Sequence, residues 1–154
     1  MRDDTSGSLH HRLADAGAEL LIKTLDQLSS GSLVGTPQDK AGATHAPLLK
    51  KQDGCMDWTK GAESLEAFVR GMNPWPGAFT YLSGKRLKVF LAKELDGSTK
   101  EESGTVIEGF PGDFVVATGR GKLALQEVQL ESGKRLSAED FLRGCSVLPG
   151  TRLG

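Results

Sequence analysis

Cysteine is nearly missing from this sequence. Cys55 and Cys145 are the only two. Neither has a histidine pair nearby, so a zinc framework is excluded and two reduced, partly buried thiols are expected. Long apolar runs are missing too. None approaches the roughly 20 residues needed to cross a bilayer. The start, Met1-Arg2-Asp3-Asp4, is charged rather than basic-then-apolar as a secretory leader would be. The expectation is a cytoplasmic protein with no membrane partner. Net charge is almost absent, at -1 over 154 residues, so there is no global attraction to nucleic acid.

What the charge does have is asymmetry. Residues 45 to 93 carry eight Lys or Arg against four Asp or Glu, and residues 94 to 154 carry seven against ten. A basic stretch followed by an acidic one can build a local anion-attracting face on a neutral molecule. Glycine is plentiful, with 20 residues placed mostly at turn-like positions. That placement suggests many short strands.

Periodicity gives the coarse layout. Leu9, Leu13, Ala16, Leu20, Leu21, Leu25 and Leu28 repeat at helical spacing and predict a helix over residues 6 to 30. Ser6 or Ser8 would cap it, Gly31 would end it, and Gly17 implies close packing at its middle. One helix cannot bury that stripe alone, so it needs a partner. Residues 31 to 54 hold no period and read as a connector. Leu65, Phe68, Val69 and Met72 predict a second helix over 60 to 72, stopped by Asn73-Pro74-Trp75-Pro76. Short strands follow at 78 to 82, 86 to 93, 105 to 108, 114 to 118 and 122 to 130. Ser83-Gly84 and Gly119-Arg120-Gly121 turn two of the hairpins; the second is too short for a phosphate loop. In the 86 to 93 strand, Leu87, Val89 and Leu91 are expected on one face, with Arg86 and Lys88 together on the other. In the last strand Leu123 and Leu125 have one parity and Val128 and Leu130 the other, which predicts a bulge near Gln126 or Glu127. A closing helix starts at Ser137, with the capping pattern Ser137-Ala138-Glu139-Asp140, and turns Phe141 and Leu142 inward before Gly144. Five short strands at this spacing suggest a small closed barrel.

The order of these elements resembles a known family. Met56-Asp57-Trp58, an amphipathic helix and then Arg70-Gly71-Met72-Asn73-Pro74-Trp75-Pro76-Gly77-Ala78 resemble the start of the C-terminal domain of methionyl-tRNA formyltransferases. Gly133-Lys134-Arg135-Leu136-Ser137-Ala138-Glu139-Asp140-Phe141-Leu142-Arg143-Gly144 resembles that domain's last strand and helix. Upstream, residues 4 to 9, Leu13-Ala14 and Gly17-Ala18 are similar to the final helix of the family's catalytic domain. Thr36-Pro37-Gln38-Asp39 and Ala43-Thr44-His45-Ala46-Pro47 are similar to its interdomain linker, with His45 where a tyrosine is usual.

The resemblance implies a division of the chain. Residues 1–31 would be the terminal helix of the catalytic domain, 32–54 the linker, and 55–154 the C-terminal tRNA-binding domain. The implied fold is mainly β with helices. It is a five-stranded barrel like the oligonucleotide-binding (OB) fold, with a helix at each end, preceded by an isolated helix and a long linker. The family's catalytic asparagine, histidine and aspartate match nothing here, and His10, His11 and His45 are not among them. The full enzyme would carry a formyl group from 10-formyltetrahydrofolate, held by the N-terminal catalytic domain, to the methionyl amine of initiator tRNA. This part would hold the tRNA, be inert alone, and have that catalytic domain as its other partner. The close at residues 148 to 154 resembles a natural family end. The rivals are another formyl-folate transferase sharing this module and a stand-alone nucleic-acid-binding barrel.

The expected tRNA contacts are cations. Lys51, and beside it Lys50, would meet phosphate from the linker, a role the resemblance implies for Lys51. Lys85, Arg86, Lys88 and Lys93 cluster on one hairpin, as a barrel tracking a phosphate backbone would need; an ordinary solvated face is the plainer alternative. Such contacts position a ligand without reading bases. Arg120, Lys122, Lys134 and Arg135 read as surface charge. Trp58 and Trp75 are expected to be core plugs rather than base-stacking platforms. Glu63 and Glu66 share a helix face and read as solvated acids, not a catalytic pair.

Overall fold

The computed structural model describes residues 3–154. Helix α1 runs Ser6–Ser29. A 3-10 turn at Lys51–Gly54 precedes helix α2, Ala62–Gly71. Strands β1 Ala78–Leu82 and β2 Lys85–Leu95 form a hairpin. Strands β3 Val106–Ile107, β4 Phe114–Ala117 and β5 Lys122–Leu130 follow, then a two-residue β6, Leu136–Ser137, and helix α3, Ala138–Gly144. The sheet is antiparallel in the order β1-β2-β5-β4-β3, with β6 on β5. The molecule is mainly β with helices, as expected, and its sheet is curled into a half-barrel.

The C-terminal segment completes the curl. Leu153 bridges Leu82 at the β1 end of the sheet and Arg152 bridges Thr105 at the β3 end. Val106 N–H donates to Thr151 O, Leu153 N–H to Gly104 O, and Gly154 N–H to Tyr81 O, at 2.8 to 3.0 Å. The two edges that an open sheet would leave unpaired are thus joined through residues 150 to 154. Nothing in the alternation of that stretch announces it.

The core lies inside the curl. Leu87, Val116, Leu123, Leu125 and Val128 are its most buried members, and Leu65 and Val69 of α2 press on β2 from one end. Phe68 and Met72 pack at the margin, so the predicted helical stripe is correct. At the other end α3 lies on β5 and β6, with Phe141 stacked on Phe114 at 5.9 Å. Ser137 caps α3 through Asp140 N–H at 3.1 Å. Trp58 is a core plug, as expected, and its Nε1–H donates to the buried Thr80 hydroxyl at 3.0 Å. Trp75 is not: it is 53% exposed. Its corner is held by backbone instead, with Gly77 N–H donating to Met72 O at 2.8 Å and Gly7 N–H to Asn73 O at 3.1 Å. No indole needs to be buried to hold it. The Asn73–Pro74 and Trp75–Pro76 peptide bonds are cis.

Strand β2 corrects one reading. Leu91 was expected on the inner face with Leu87 and Val89, yet Leu91 is exposed and Ala92 is buried. The pairing with β5 steps from Val89↔Val128 to Leu91↔Glu127 and then to Ala92↔Leu125. Phe90 is therefore an extra residue on β2, and Gln126 an extra residue on β5. The second is the bulge that the parity conflict predicted. The first reverses the facing of everything after it on β2.

Helix α1 is capped by Thr5, not Ser6 or Ser8. Its hydroxyl accepts Ser8 N–H at 3.1 Å while the Ser8 hydroxyl accepts Thr5 N–H at 3.0 Å. Gly31 follows the helix with a positive φ of 70°, as a C-terminal glycine should. The rest of α1 stands clear of the barrel. Leu13, Leu20, Leu21, Ile22, Leu25 and Leu28 are all at least half exposed, and Gly17 has no neighbour where a Cβ would point. The tight contact expected at Gly17 is therefore not made among the described residues. Only the first turn docks: the Ser6 hydroxyl donates to Asn73 O at 2.5 Å, and Arg70 Nη1 donates to Asp4 O at 3.3 Å. Among the described residues no helix is long and apolar enough to cross a membrane.

Candidate nucleic-acid interface

The site is built around one aromatic ring. Phe79 sits on β1 with its side chain on the outer side of the sheet, since its neighbours Ala78 and Thr80 face the core. Three things meet on it. The Arg86 guanidinium lies over the ring, 4.3 Å from its centre. Tyr81, two residues along, meets it edge to face at 5.8 Å. The 3-10 turn lies against it from a third side. Cys55 bridges Phe79, and Met56 N–H donates to Phe79 O at 2.8 Å. Gly54 is packed so tightly that a Cβ would stand 2.1 Å from Gly77 O and 3.4 Å from the Phe79 ring. Only glycine permits that approach.

This arrangement sets the turn that carries Lys50 and Lys51 against the ring that Arg86 covers. Lys51 opens the 3-10 turn, and the Asp53 carboxylate accepts Lys50 N–H at 2.7 Å. The backbone carrying Lys50 and Lys51 is therefore fixed relative to the ring under Arg86, and both side chains are exposed. On the hairpin, Ser83 and Gly84 both have positive φ, giving a two-residue turn with Leu82↔Lys85, Tyr81↔Arg86 and Phe79↔Lys88 as partners. Arg86 and Lys88 share the outer side, as predicted. Lys85 has the parity of Leu87 and is exposed only because it sits at the hairpin mouth. Lys93 would fall on the inner side by strict alternation. The bulge at Phe90 returns it to the outer side with Arg86 and Lys88.

Ion pairing divides the described cations into two groups, and Lys23, Lys40, Lys100, Arg120, Lys122 and Lys134 are unpaired along with the predicted ones. Arg12, Lys60, Arg70, Arg135, Arg143 and Arg152 each lie beside a carboxylate. Among the described residues, Lys50, Lys51, Lys85, Arg86, Lys88 and Lys93 have no carboxylate within ion-pair distance. Their charge is available to a ligand. Arg86 is moreover held before anything binds, by the ring beneath it and by its own backbone. Its N–H donates to Glu131 Oε2 at 3.3 Å and its carbonyl accepts Glu131 N–H at 2.8 Å.

A shallow recess of about 430 Å³ opens here, walled by Tyr81, Arg86, Lys88, Gln129, Leu130, Glu131 and Ser132. A second hollow of about 370 Å³ lies further along the sheet, with Lys93 on one wall and Asp113, Gln126 and Glu139 among the others. Lys93 therefore shares a side with Arg86 and Lys88 but serves a different hollow. Sequence reasoning missed Tyr81, Gln129 and Glu131. Tyr81 was within reach, because a two-residue turn at Ser83-Gly84 places it opposite Arg86. Gln129 and Glu131 arrive through β2–β5 pairing across some forty residues, which local pattern cannot show. Among the described residues no three His, Cys, Asp or Glu side chains are grouped to hold a metal ion.

Comparison with known proteins adds the following. The model of the formyl transferase C-terminal domain family matches residues 48–146. A methionyl-tRNA formyltransferase of Agathobacter rectalis is 44% identical over 149 residues, which cover 97% of this chain and 48% of the relative. One from Geotalea daltonii is 46% identical over 153 residues, covering 99% of this chain and 48% of the relative. The chain thus spans about half the length of the curated relatives it matches. Among solved structures, HypX from Aquifex aeolicus superposes with a TM-score of 0.64 at 18% identity, over 92% of this chain and 26% of that one. A second HypX structure, in complex with tetrahydrofolic acid, gives 0.57 at 19% identity over 80% of this chain and 22% of that one. At such identities the likeness speaks for the fold.

Proposed function

Since this chain belongs to the formyl transferase C-terminal domain family, we propose that it is the tRNA-holding part of a methionyl-tRNA formyltransferase acting in the cytoplasm. In this reading the whole enzyme moves a formyl group from 10-formyltetrahydrofolate to the amine of methionyl initiator tRNA, and the present residues hold the tRNA while the reacting groups lie elsewhere. The observation that carries it is the set of unpaired cations organised around Phe79. Lys51 comes from the turn before the barrel, and Arg86 and Lys88 come from β2. Lys50, Lys85 and Lys93 extend the field around them. Bound phosphates would displace counterions, giving salt-sensitive and largely sequence-independent affinity.

Among the described residues, the recess beside Arg86 and Lys88 does not fit the formyl donor. That recess is open and lined by Arg86, Lys88, Gln129 and Glu131 among others, which is no closed apolar slot for a flat bicyclic ring. We therefore assign the donor to the catalytic domain and derive no step through it. The uncovered stripe of α1 supports the same division of labour. Six large aliphatic residues on one helix call for a partner surface, and the catalytic domain is the partner this reading supplies.

The test is RNA binding as a function of salt. Lys51→Ala and Lys88→Ala should each reduce the slope of log affinity against log salt by roughly 0.9 on duplex RNA. If both leave the slope unchanged, the cations are an ordinary solvated face. The chain should show no formyl transfer by itself, and measurable transfer would overturn the assignment of the chemistry elsewhere. Should the isolated chain bury the α1 stripe by dimerising, a self-contained binding barrel would become the better reading.

A further inference from the structure

The recess beside Arg86 and Lys88 is more than a patch of positive charge, because two of its walls are acceptors. Gln129 on β5 faces Lys88 across the sheet. Its side-chain Nε2–H donates to Gly133 O at 2.8 Å. That bond settles the amide's orientation, since a carbonyl oxygen cannot donate to another. Oε1 therefore points away from Gly133 and, among the described residues, accepts no hydrogen bond. Glu131 is engaged through Oε2 with Arg86 N–H, which leaves Oε1 unused. The recess thus sets two cations and a phenol beside a free amide carbonyl and a carboxylate.

A bare phosphate does not want such a wall. A carboxylate repels it and an amide carbonyl offers it no proton. The fitting ligand carries an anion and, close by, a hydroxyl that can donate. A ribose with its phosphate has that pairing in the 2′-hydroxyl, and a deoxyribose does not. The volume of about 430 Å³ suits one sugar-phosphate unit rather than a stacked pair of bases. We infer that this recess holds a single ribonucleotide unit of the bound strand, with Arg86 and Lys88 on the phosphate and Gln129 Oε1 accepting the 2′-hydroxyl, so that it selects RNA over DNA. The inference rests on the proposed phosphate contacts and adds to them a choice between nucleic acids.

The experiment compares three hairpins of one acceptor-stem sequence: RNA, the same RNA with 2′-O-methyl groups, and DNA. Unmodified RNA should bind the wild-type chain about three- to tenfold more tightly than either of the others, which is the worth of one such hydrogen bond. Gln129→Leu should lower RNA affinity to that level while leaving DNA affinity and the salt slope unchanged. Lys88→Ala should weaken all three and reduce the slope. Equal affinity of the wild type for RNA and 2′-O-methyl RNA would overturn the inference without any variant being made. So would a Gln129→Leu loss shared equally by RNA and DNA. An unchanged slope in Lys88→Ala would instead remove the phosphate reading underneath it, so the two failures are distinguishable.

Discussion

At the scale of single residues, the tightest constraints are where backbone meets backbone. Gly119 is the sharpest. Its N–H is shared between Trp58 O and Lys60 O at 2.9 and 3.0 Å, and a Cβ there would stand 1.8 Å from Thr59 O. No rotamer can relieve a clash with a carbonyl, so Gly119→Ala should cost about 3 kcal/mol or more, read by urea unfolding. A cost near zero would mean that the loop before α2 can step aside. Asp57, in the same loop, makes a pH-dependent contribution. The Thr59 hydroxyl donates to its carboxylate at 2.6 Å and Thr59 N–H at 3.1 Å, and these hold its pKa below the ordinary 3.8 despite some opposing desolvation. The folded value is the lower one, so the carboxylate contributes stability above the ordinary value and loses it as pH falls through the folded one. The stability gap between wild type and Thr59→Ala should therefore be full near about pH 7 and shrink towards about pH 2. A gap that stays constant would show that the hydroxyl acts through packing alone.

Among elements, α1 and the β2–β5 pair stand in contrast. Leu13 and Leu21 on α1 are 62% and 57% exposed. Replacing both by lysine should leave the barrel's melting temperature within about a degree or two. If α1 docks on a catalytic domain, as proposed, the same change should weaken association with that domain supplied separately, measured by co-sedimentation. A large fall in the melting temperature of the chain alone would mean that α1 packs on the barrel in solution. How much was legible also differs by element. Leu65 and Val69 announced α2 because a helix repeats its contacts locally. The Gln126 bulge showed as a parity conflict between Leu125 and Val128. The Phe90 bulge left no such trace. Alternation runs on through Leu91 in letters while the strand reverses in space, and only pairing with β5 exposes the change. The candidate site was half legible for the same reason. Arg86 and Lys88 could be read from one strand, whereas Gln129 and Glu131 come from a partner chosen by the tertiary fold.

For the whole molecule, closure depends on its last few residues. Residues 150 to 154 contribute backbone hydrogen bonds to Val106, Gly104 and Tyr81, and Leu153 is buried among core residues. Deleting these five residues should cost about 3–6 kcal/mol, from one buried leucine and several hydrogen bonds. It should also make the chain prone to associate through the freed edges, measurable by light scattering. An unchanged unfolding midpoint would show that the curl holds without its clasp.

That clasp sets an order of events during synthesis. On the ribosome, the β1 and β3 edges emerge well before the segment that joins them, and at about 5–20 residues per second those edges wait unpaired. Closure must follow the arrival of Arg152 and Leu153, so a nascent chain halted before them would have every strand in place yet stay open along both borders. The cell would meet it as a sticky, protease-sensitive polypeptide rather than as a slightly shorter protein.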